Sequence, residues 1–299
     1  MLGEKTVIWM KIKGHTHEPF TLGRFMRDRV VIKWGGGLIT EKSSLCTPDL
    51  EILEQLADTV ADCHKNGIDV ILVHGAGSYG HLRAKHWRLN EGLLPNAQFE
   101  DDEKCESQLQ AVHAVRQEML ELNAHVCNAL EKRNITPIVH PPHLWVRNTG
   151  PHFSGELHDF HEQKQGHVHV TFGDVVDVDG EQQFGILSGD DLVVRLSIEL
   201  ANVKRLIFAI KGVDGLLRVP PEQAKEEDLI EIWSPEIKFE GVHYSNVDVT
   251  GGIGLKAARG SLVASHDIDV IMVNGEKTER VLSAMLGNPV RGTRVRNKQ

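Results

Sequence analysis

Two short glycine loops hold the residues with the clearest chemical potential. The first runs Lys33-Trp34-Gly35-Gly36-Gly37-Leu38-Ile39-Thr40-Glu41-Lys42; it leaves the apolar run RVVIKW and is bracketed by two lysines. Consecutive glycines leave backbone N–H groups unshielded by a Cβ, so such a loop can close around phosphate oxygens. The second loop, GAGSYG, leaves the apolar run VILVH and is flanked by His74 and His81. Two such loops at the carboxyl edge of one sheet suit two phosphates brought together, which is what phosphoryl transfer between them requires.

GAGSYG also matches G-x-G-x-x-G, the dinucleotide fingerprint. That fingerprint needs a helix directly after the loop, a second strand within about thirty residues and an acidic residue at that strand's end. The following text is HLRAKHWRLNEG, and the acidic residues near Asp101 follow no strand. The match is therefore read as accidental in its chemistry.

Two further segments fit phosphate chemistry. Leu187-Ser188-Gly189-Asp190-Asp191-Leu192 puts paired carboxylates at a helix start, where they could cap N–H groups or orient lysines and a Mg²⁺–nucleotide. Asp248-Val249-Thr250-Gly251-Gly252-Ile253-Gly254-Leu255-Lys256 is a glycine turn entering a helix with Lys256 in its first turn. A cation there opposes the helix dipole unless an anion sits nearby. His152, His158, His161, His167 and His169 invite a metal reading, but no cysteine or second carboxylate pair completes a tetrahedron. That run reads as a solvated loop, and no metal site is expected.

These residues need a frame. The chain has 299 residues with 40% hydrophobic side chains, enough for one large α/β domain or two smaller lobes. Its 33 Lys and Arg against 42 Asp and Glu give a net charge of -9, which disfavours nucleic acid and anionic membranes as partners, so any phosphate site must be local. Cys46, Cys63, Cys105 and Cys127 form no C-x-x-C pair, which fits reduced thiols. With no membrane-length apolar run and no leader pattern, the expected location is cytoplasmic.

Short apolar runs alternate with helical periodicity. RVVIKW reads as a strand, then Thr47 as a cap and Pro48 as the opening of a helix carrying Leu50, Leu53, Leu56 and Val60. VILVH is the next strand. The longest helix places Leu109, Val112, Val115, Met119, Leu122, Val126 and Leu130 on one face. ITPIVH, FGIL, RLIFAI and DVIMV read as strands, with helices near 191–201, from about 254, and over 277–286. Residues 148–169 show neither period and read as a loop or short hairpin bordering the site. Strands separated by helices mean a mostly parallel sheet covered on both faces.

In the order and spacing of its motifs the chain resembles the amino acid kinase superfamily and, within it, the isopentenyl phosphate kinases. The family's opening pattern resembles Lys33, Gly35, Gly36, Gly37, Ile39, Thr40 and Lys42, and its acceptor loop resembles His74 through His81. Gly173-Asp174-Val175-Val176, FGILSGDDL and DVTGG with its lysine continue the match in order, from about residue 29 to the C-terminus. His81 marks the branch, since relatives that phosphorylate amino acids do not keep a histidine there; fosfomycin kinase keeps a comparable one. Gly37 stands where the family usually has Ser, and Ala76 replaces the middle glycine of the acceptor loop.

The resemblance implies a three-layer αβα sandwich with a central mostly parallel sheet. It implies an acceptor-binding lobe over 29–187 and a nucleotide-binding lobe over 188–299 sharing that sheet, while residues 1–28 form an extension of unassigned role. It implies ATP with Mg²⁺, a small-molecule phosphate acceptor and a homodimer. Lys33 and Lys42 would neutralise the transferring γ-phosphoryl group and Gly35, Gly36 and Gly37 would cradle nucleotide phosphates. Ala76, Gly77, His81 and Gly173 would hold the acceptor phosphate, Gly77 also touching the nucleotide. Asp190 would orient lysines or nucleotide, and Gly252 and Lys256 would grip its β- and γ-phosphates. The alternatives are a kinase for another small phosphate or phosphonate, as in fosfomycin kinase, and a non-catalytic nucleotide sensor of the same fold.

Overall fold

The computed structural model describes residues 26–41, 44–100, 105–237 and 252–297. Lys42, residues 248–251 and the N-terminal stretch VIWMKIKG lie outside the described residues.

The centre of the molecule is built from strands whose residues are mostly buried and rich in Val, Ile and Leu, as a sheet covered on both faces demands. β1 (Arg29–Trp34), β2 (Asp69–His74), β3 (Thr136–Val139) and β4 (His167–Phe172) come from the first part of the chain. β5 (Asp174–Asp177) and β6 (Phe184–Leu187) form a separate antiparallel hairpin. β7 (Val203–Ile210), β8 (Ile232–Trp233), β9 (Asp269–Asn274) and β10 (Thr293–Val295) complete the set. The main sheet has eight strands in the order β3-β4-β2-β1-β7-β9-β10-β8. From β3 to β9 every neighbouring pair is parallel; β10 runs antiparallel to β9 and parallel to β8.

Alternation along β1 sorts its side chains between two cores. Val30, Ile32 and Trp34 join α2 (Leu50–Lys65), α4 (Gln108–Glu131) and α7 (Thr278–Leu286) on one face. Val31 joins α5 (Gly189–Glu199) and α6 (Ile253–Ala264) on the other. Helices on both faces of a mostly parallel sheet make the expected three-layer αβα sandwich. Two short helices complete the set: α1 (Gly36–Ile39) and α3 (His81–His86), each leaving one of the glycine loops.

Several expectations need correction. Asp49, not Thr47, caps α2: its carboxylate accepts from the Ile52 N–H, and Pro48 sits before the helix in a bridge to Thr40. Leu109 is 53% exposed, one position off the buried stripe of α4. FGIL lies outside the main sheet. A helix does follow GAGSYG directly, although it is only six residues long. Residues 148–169 are not a site-bordering loop, for none of them lines the cavity described below. They pack Phe153, Leu157 and Phe160 into the α5–α6 core, and from His167 onward they are strand β4. His169 is buried there, its Nδ1 2.9 Å from His140 Nε2, so the His-rich run is not simply a solvated loop.

Candidate active site

β1 and β2 are parallel neighbours, so the glycine loops at their carboxyl ends meet. They meet closely. A Cβ on Gly36 would overlap the backbone nitrogen of Gly77, and one on Gly75 would crowd the nitrogen of Gly36. Gly77 at φ +56° and Gly80 at φ +64° lie in the left-handed region that glycine enters without strain. Buried Thr40 fastens the loops together: its hydroxyl donates to the Gly36 carbonyl at 2.9 Å and accepts from the Ser78 N–H at 2.9 Å.

Beside this junction lies a buried chain of charges. Lys33 Nζ is 2.5 Å from Asp190 Oδ1, and Lys256 Nζ is 3.4 Å from Asp190 Oδ2. Gly189 makes room for the approach, since a Cβ there would meet Lys33 Cε at 3.1 Å. The α5 N-cap is Ser188, whose hydroxyl accepts from the Asp190 N–H, so the Asp190 carboxylate is left to bridge cations rather than to cap. Asp191 is held separately by Arg259 at 2.7 Å. Asp190 is also an anion within reach of Lys256, which the lysine's place in the first turn of α6 calls for.

Burial lowers the Lys33 ammonium from 10.5 to about 8, with Lys256 pushing the same way and Asp190 opposing. Burial alone would raise the Asp190 carboxyl, but Lys256 and Lys33 hold it below the ordinary carboxylate range. One carboxylate thus holds two ammonium groups side by side at the cavity wall, an arrangement suited to receiving a polyanion.

The end of the second glycine loop is built around Gly80. Its N–H donates at 3.0 Å to Glu118 on α4, which also binds Arg83. His81 opens α3 and faces the cavity. Gly173, directly after β4, donates its N–H to the His74 carbonyl and brings the β5–β6 hairpin over the loops. Buried Asp174 accepts from His143 Nδ1 at 2.7 Å.

One cavity of about 750 Å³ joins these parts. Lys33, Gly35, Gly36, Gly37, Ala76, Gly77, His81, Gly173, Asp190, Gly252 and Lys256 all line it. Lys42 lies outside the described residues, so of the expected site residues it alone has no assigned position. On the His81 side the wall is apolar: Leu82, Ala84, Val115, Met119, Val175 and Ile186. At the other end, past β7, it is formed by Ile210, Lys211, Val213, Leu217, Pro221 and Glu222.

Residues 28–274 match the model of the amino acid kinase family. The chain belongs to that family. It is 28% identical over 276 residues to an isopentenyl phosphate kinase of Methanothermobacter thermautotrophicus, covering 90% of this chain and 99% of that protein. It is 31% identical over 234 residues to an isopentenyl phosphate kinase of Haloferax volcanii, covering 77% of this chain and 86% of that one. Among solved structures, an isopentenyl phosphate kinase superposes with a TM-score of 0.71 at 25% identity, over 89% of this chain and 99% of that one. The chain is thus a phosphotransferase, and this cavity is its candidate active site.

Some contacts that shape this kinase's cavity escaped the sequence reading. Thr40 stands in the opening motif, but its bond to Ser78, like that of Glu118 to Gly80, spans 38 residues of chain, and no local pattern announces either contact. The 210–217 loop carried a usable signal, because KGVDG follows RLIFAI, and loops after central parallel strands are where such folds bind ligands.

Proposed function

We propose that this kinase transfers the γ-phosphoryl group of ATP to the phosphate of isopentenyl phosphate, yielding isopentenyl diphosphate and ADP. The observation that carries the reading is the make-up of the cavity. A glycine-lined phosphate cradle with two ammonium groups opens directly onto an apolar wall from α3, α4 and the β5–β6 hairpin. An acceptor with a phosphate head and a short branched hydrocarbon tail matches both surfaces; an amino acid would leave its ammonium group against that wall.

In the reaction, an acceptor phosphate oxygen attacks Pγ in line as the bond from Pγ to the β-bridging oxygen breaks and ADP leaves. A phosphate monoester is largely ionised at neutral pH, so no strong base is needed, and catalysis consists of positioning and charge neutralisation. Lys33 and Lys256, both paired with Asp190, neutralise charge on the β- and γ-phosphates. Gly35, Gly36 and Gly37 cradle the nucleotide phosphates with Gly252. Ala76, Gly77, His81 and Gly173 hold the acceptor phosphate, and Lys42 completes the cationic set. The acceptor is bound mainly from the 29–187 side and the nucleotide mainly from 188–299.

Mg²⁺ belongs to this reading as the companion of ATP. Asp190 is occupied by two lysines, Asp191 by Arg259 and Asp174 by His143. Among the described residues no group of three or more His, Cys, Asp or Glu side chains is arranged to hold a metal. With these carboxylates engaged, Mg²⁺ would be carried by the nucleotide, and the chemistry it would supply is added charge neutralisation. No helix among the described residues is long and apolar enough to cross a membrane. The reading extends to a homodimer acting in the cytoplasm.

The test is ADP release on adding isopentenyl phosphate to enzyme and Mg–ATP, with phosphorus NMR of the product. Coupled diphosphate resonances are expected. Absence of acceptor-dependent ADP release would refute the proposal.

A further inference from the structure

α4 does more for the cleft than close its floor. Val115, Glu118 and Met119 stand at positions i, i+3 and i+4 and therefore share one helix face. Val115 and Met119 line the apolar part of the cavity. Glu118 lies between them, 6% exposed, and its carboxylate is divided between two tasks. Oε2 accepts from the Gly80 N–H at 3.0 Å, while Oε1 accepts from Arg83 Nε at 3.0 Å with Arg83 Nη2 at 2.9 Å. Gly80 and Arg83 flank His81, one immediately before it and one a half-turn beyond.

A buried carboxylate is costly unless it is paired and hydrogen-bonded, and Glu118 places its charge on the turn that sets where His81 begins α3. Gly80 takes a left-handed φ of +64° with no side-chain cap on the helix it starts. Its packing against α4 is tight, a Cβ there meeting Val115 Cγ1 at 3.0 Å. The turn that carries His81 is thus tied to α4 by a backbone hydrogen bond and an ion pair that end on the same carboxylate.

We infer that Glu118 is a positioning residue for the acceptor phosphate: it orients His81 and the end of the acceptor loop through Gly80 and Arg83, while its helix neighbours Val115 and Met119 contact the acceptor's tail. The inference rests on the reading of His81 as a phosphate contact. It goes beyond that reading in naming the group that holds His81 in place and in separating head recognition from tail recognition on a single helix face.

The experiment compares wild type with Glu118→Gln and Glu118→Ala. Glu118→Gln keeps an acceptor for the Gly80 N–H but loses the ion pair with Arg83; Glu118→Ala loses both. For Glu118→Ala the KM for isopentenyl phosphate should rise about 10-fold to 100-fold, with Glu118→Gln in between and the KM for ATP within about 2-fold of wild type, as for loss of a charge-assisted hydrogen bond. Calorimetric titration with inorganic phosphate, which has no tail, should show the same order of weakening. Thermal unfolding of each variant reports folding separately. If both variants bind inorganic phosphate and isopentenyl phosphate as wild type does, the positioning role is overturned. If isopentenyl phosphate binding weakens but phosphate binding does not, Glu118 acts only by shaping the tail wall, and the role is again overturned. Wild type inactive on isopentenyl phosphate, with phosphate binding weakened in the variants, would reject that substrate and leave the positioning role standing.

Discussion

Lys33 and Lys256 reach the same buried carboxylate from opposite halves of the chain: Asp190 Oδ1 lies 2.5 Å from Lys33 Nζ and Oδ2 lies 3.4 Å from Lys256 Nζ. Without Asp190 the two ammonium groups would repel each other in a desolvated wall. Asp190→Asn should lower kcat by about 100-fold or more and reduce thermal stability, since removing one partner of a buried ion pair strands the other charge. Steady-state kinetics with a melting curve check it; wild-type turnover in a folded variant would remove Asp190 from the machinery.

Burial of Lys33 has a pH signature. In the folded free enzyme its ammonium titrates at about 8 rather than 10.5. Phosphate neutralisation needs the protonated form, so log kcat/KM for ATP should fall with rising pH above about 8, reporting the free enzyme. Stability moves the other way. Between about 8 and 10.5 the unfolded chain keeps a proton that the folded protein has lost, so this group makes stability rise with pH across that window. A pH–rate profile level to pH 10 would contradict the assignment.

Lys256→Ala should raise the KM for ATP and also lower kcat. A lysine gripping the β- and γ-phosphates acts in both the ground and transition states, so neither constant should be spared. Its removal also takes one of the two cations from Asp190. Unchanged ATP affinity and turnover would mean that the α6 entry loop is not a phosphate clamp.

His81→Ala should weaken kcat/KM for the acceptor by roughly 1.5–3 kcal/mol, the scale of a charge-assisted hydrogen bond, while leaving ATP binding nearly intact. His81→Gln should recover part of the loss. A variant that loses ATP affinity but keeps the acceptor would show that the two glycine loops have exchanged roles.

The parts of the site that could be read in the sequence are those encoded locally. Lys33, the glycines at 35–37 and 75–80, His81 and Lys256 all sit where a strand or turn meets a helix start, and residue type and spacing single them out as candidates. The parts that could not be read depend on three-dimensional pairing. Val115 and Met119 lie on the same apolar stripe of α4 as Val126 and Leu130, and only the placement of α3 and the β5–β6 hairpin opens that end of the stripe to the cavity. Glu118 reads as an ordinary polar helix residue until Gly80 is seen against it. Strand β4 was hidden because HVHVTF carries two histidines, yet His169 is buried against His140 and Phe160. β10, at three residues, is too short to show a period.

The most direct test of the central claim is kcat/KM measured by ADP release with Mg–ATP for isopentenyl phosphate and for fosfomycin under the same conditions. The phosphate cradle beside an apolar wall predicts that isopentenyl phosphate is preferred by about 100-fold or more, the scale on which a matched tail pocket and head site discriminate together. Preference for fosfomycin, or ADP release with neither acceptor, would contradict it.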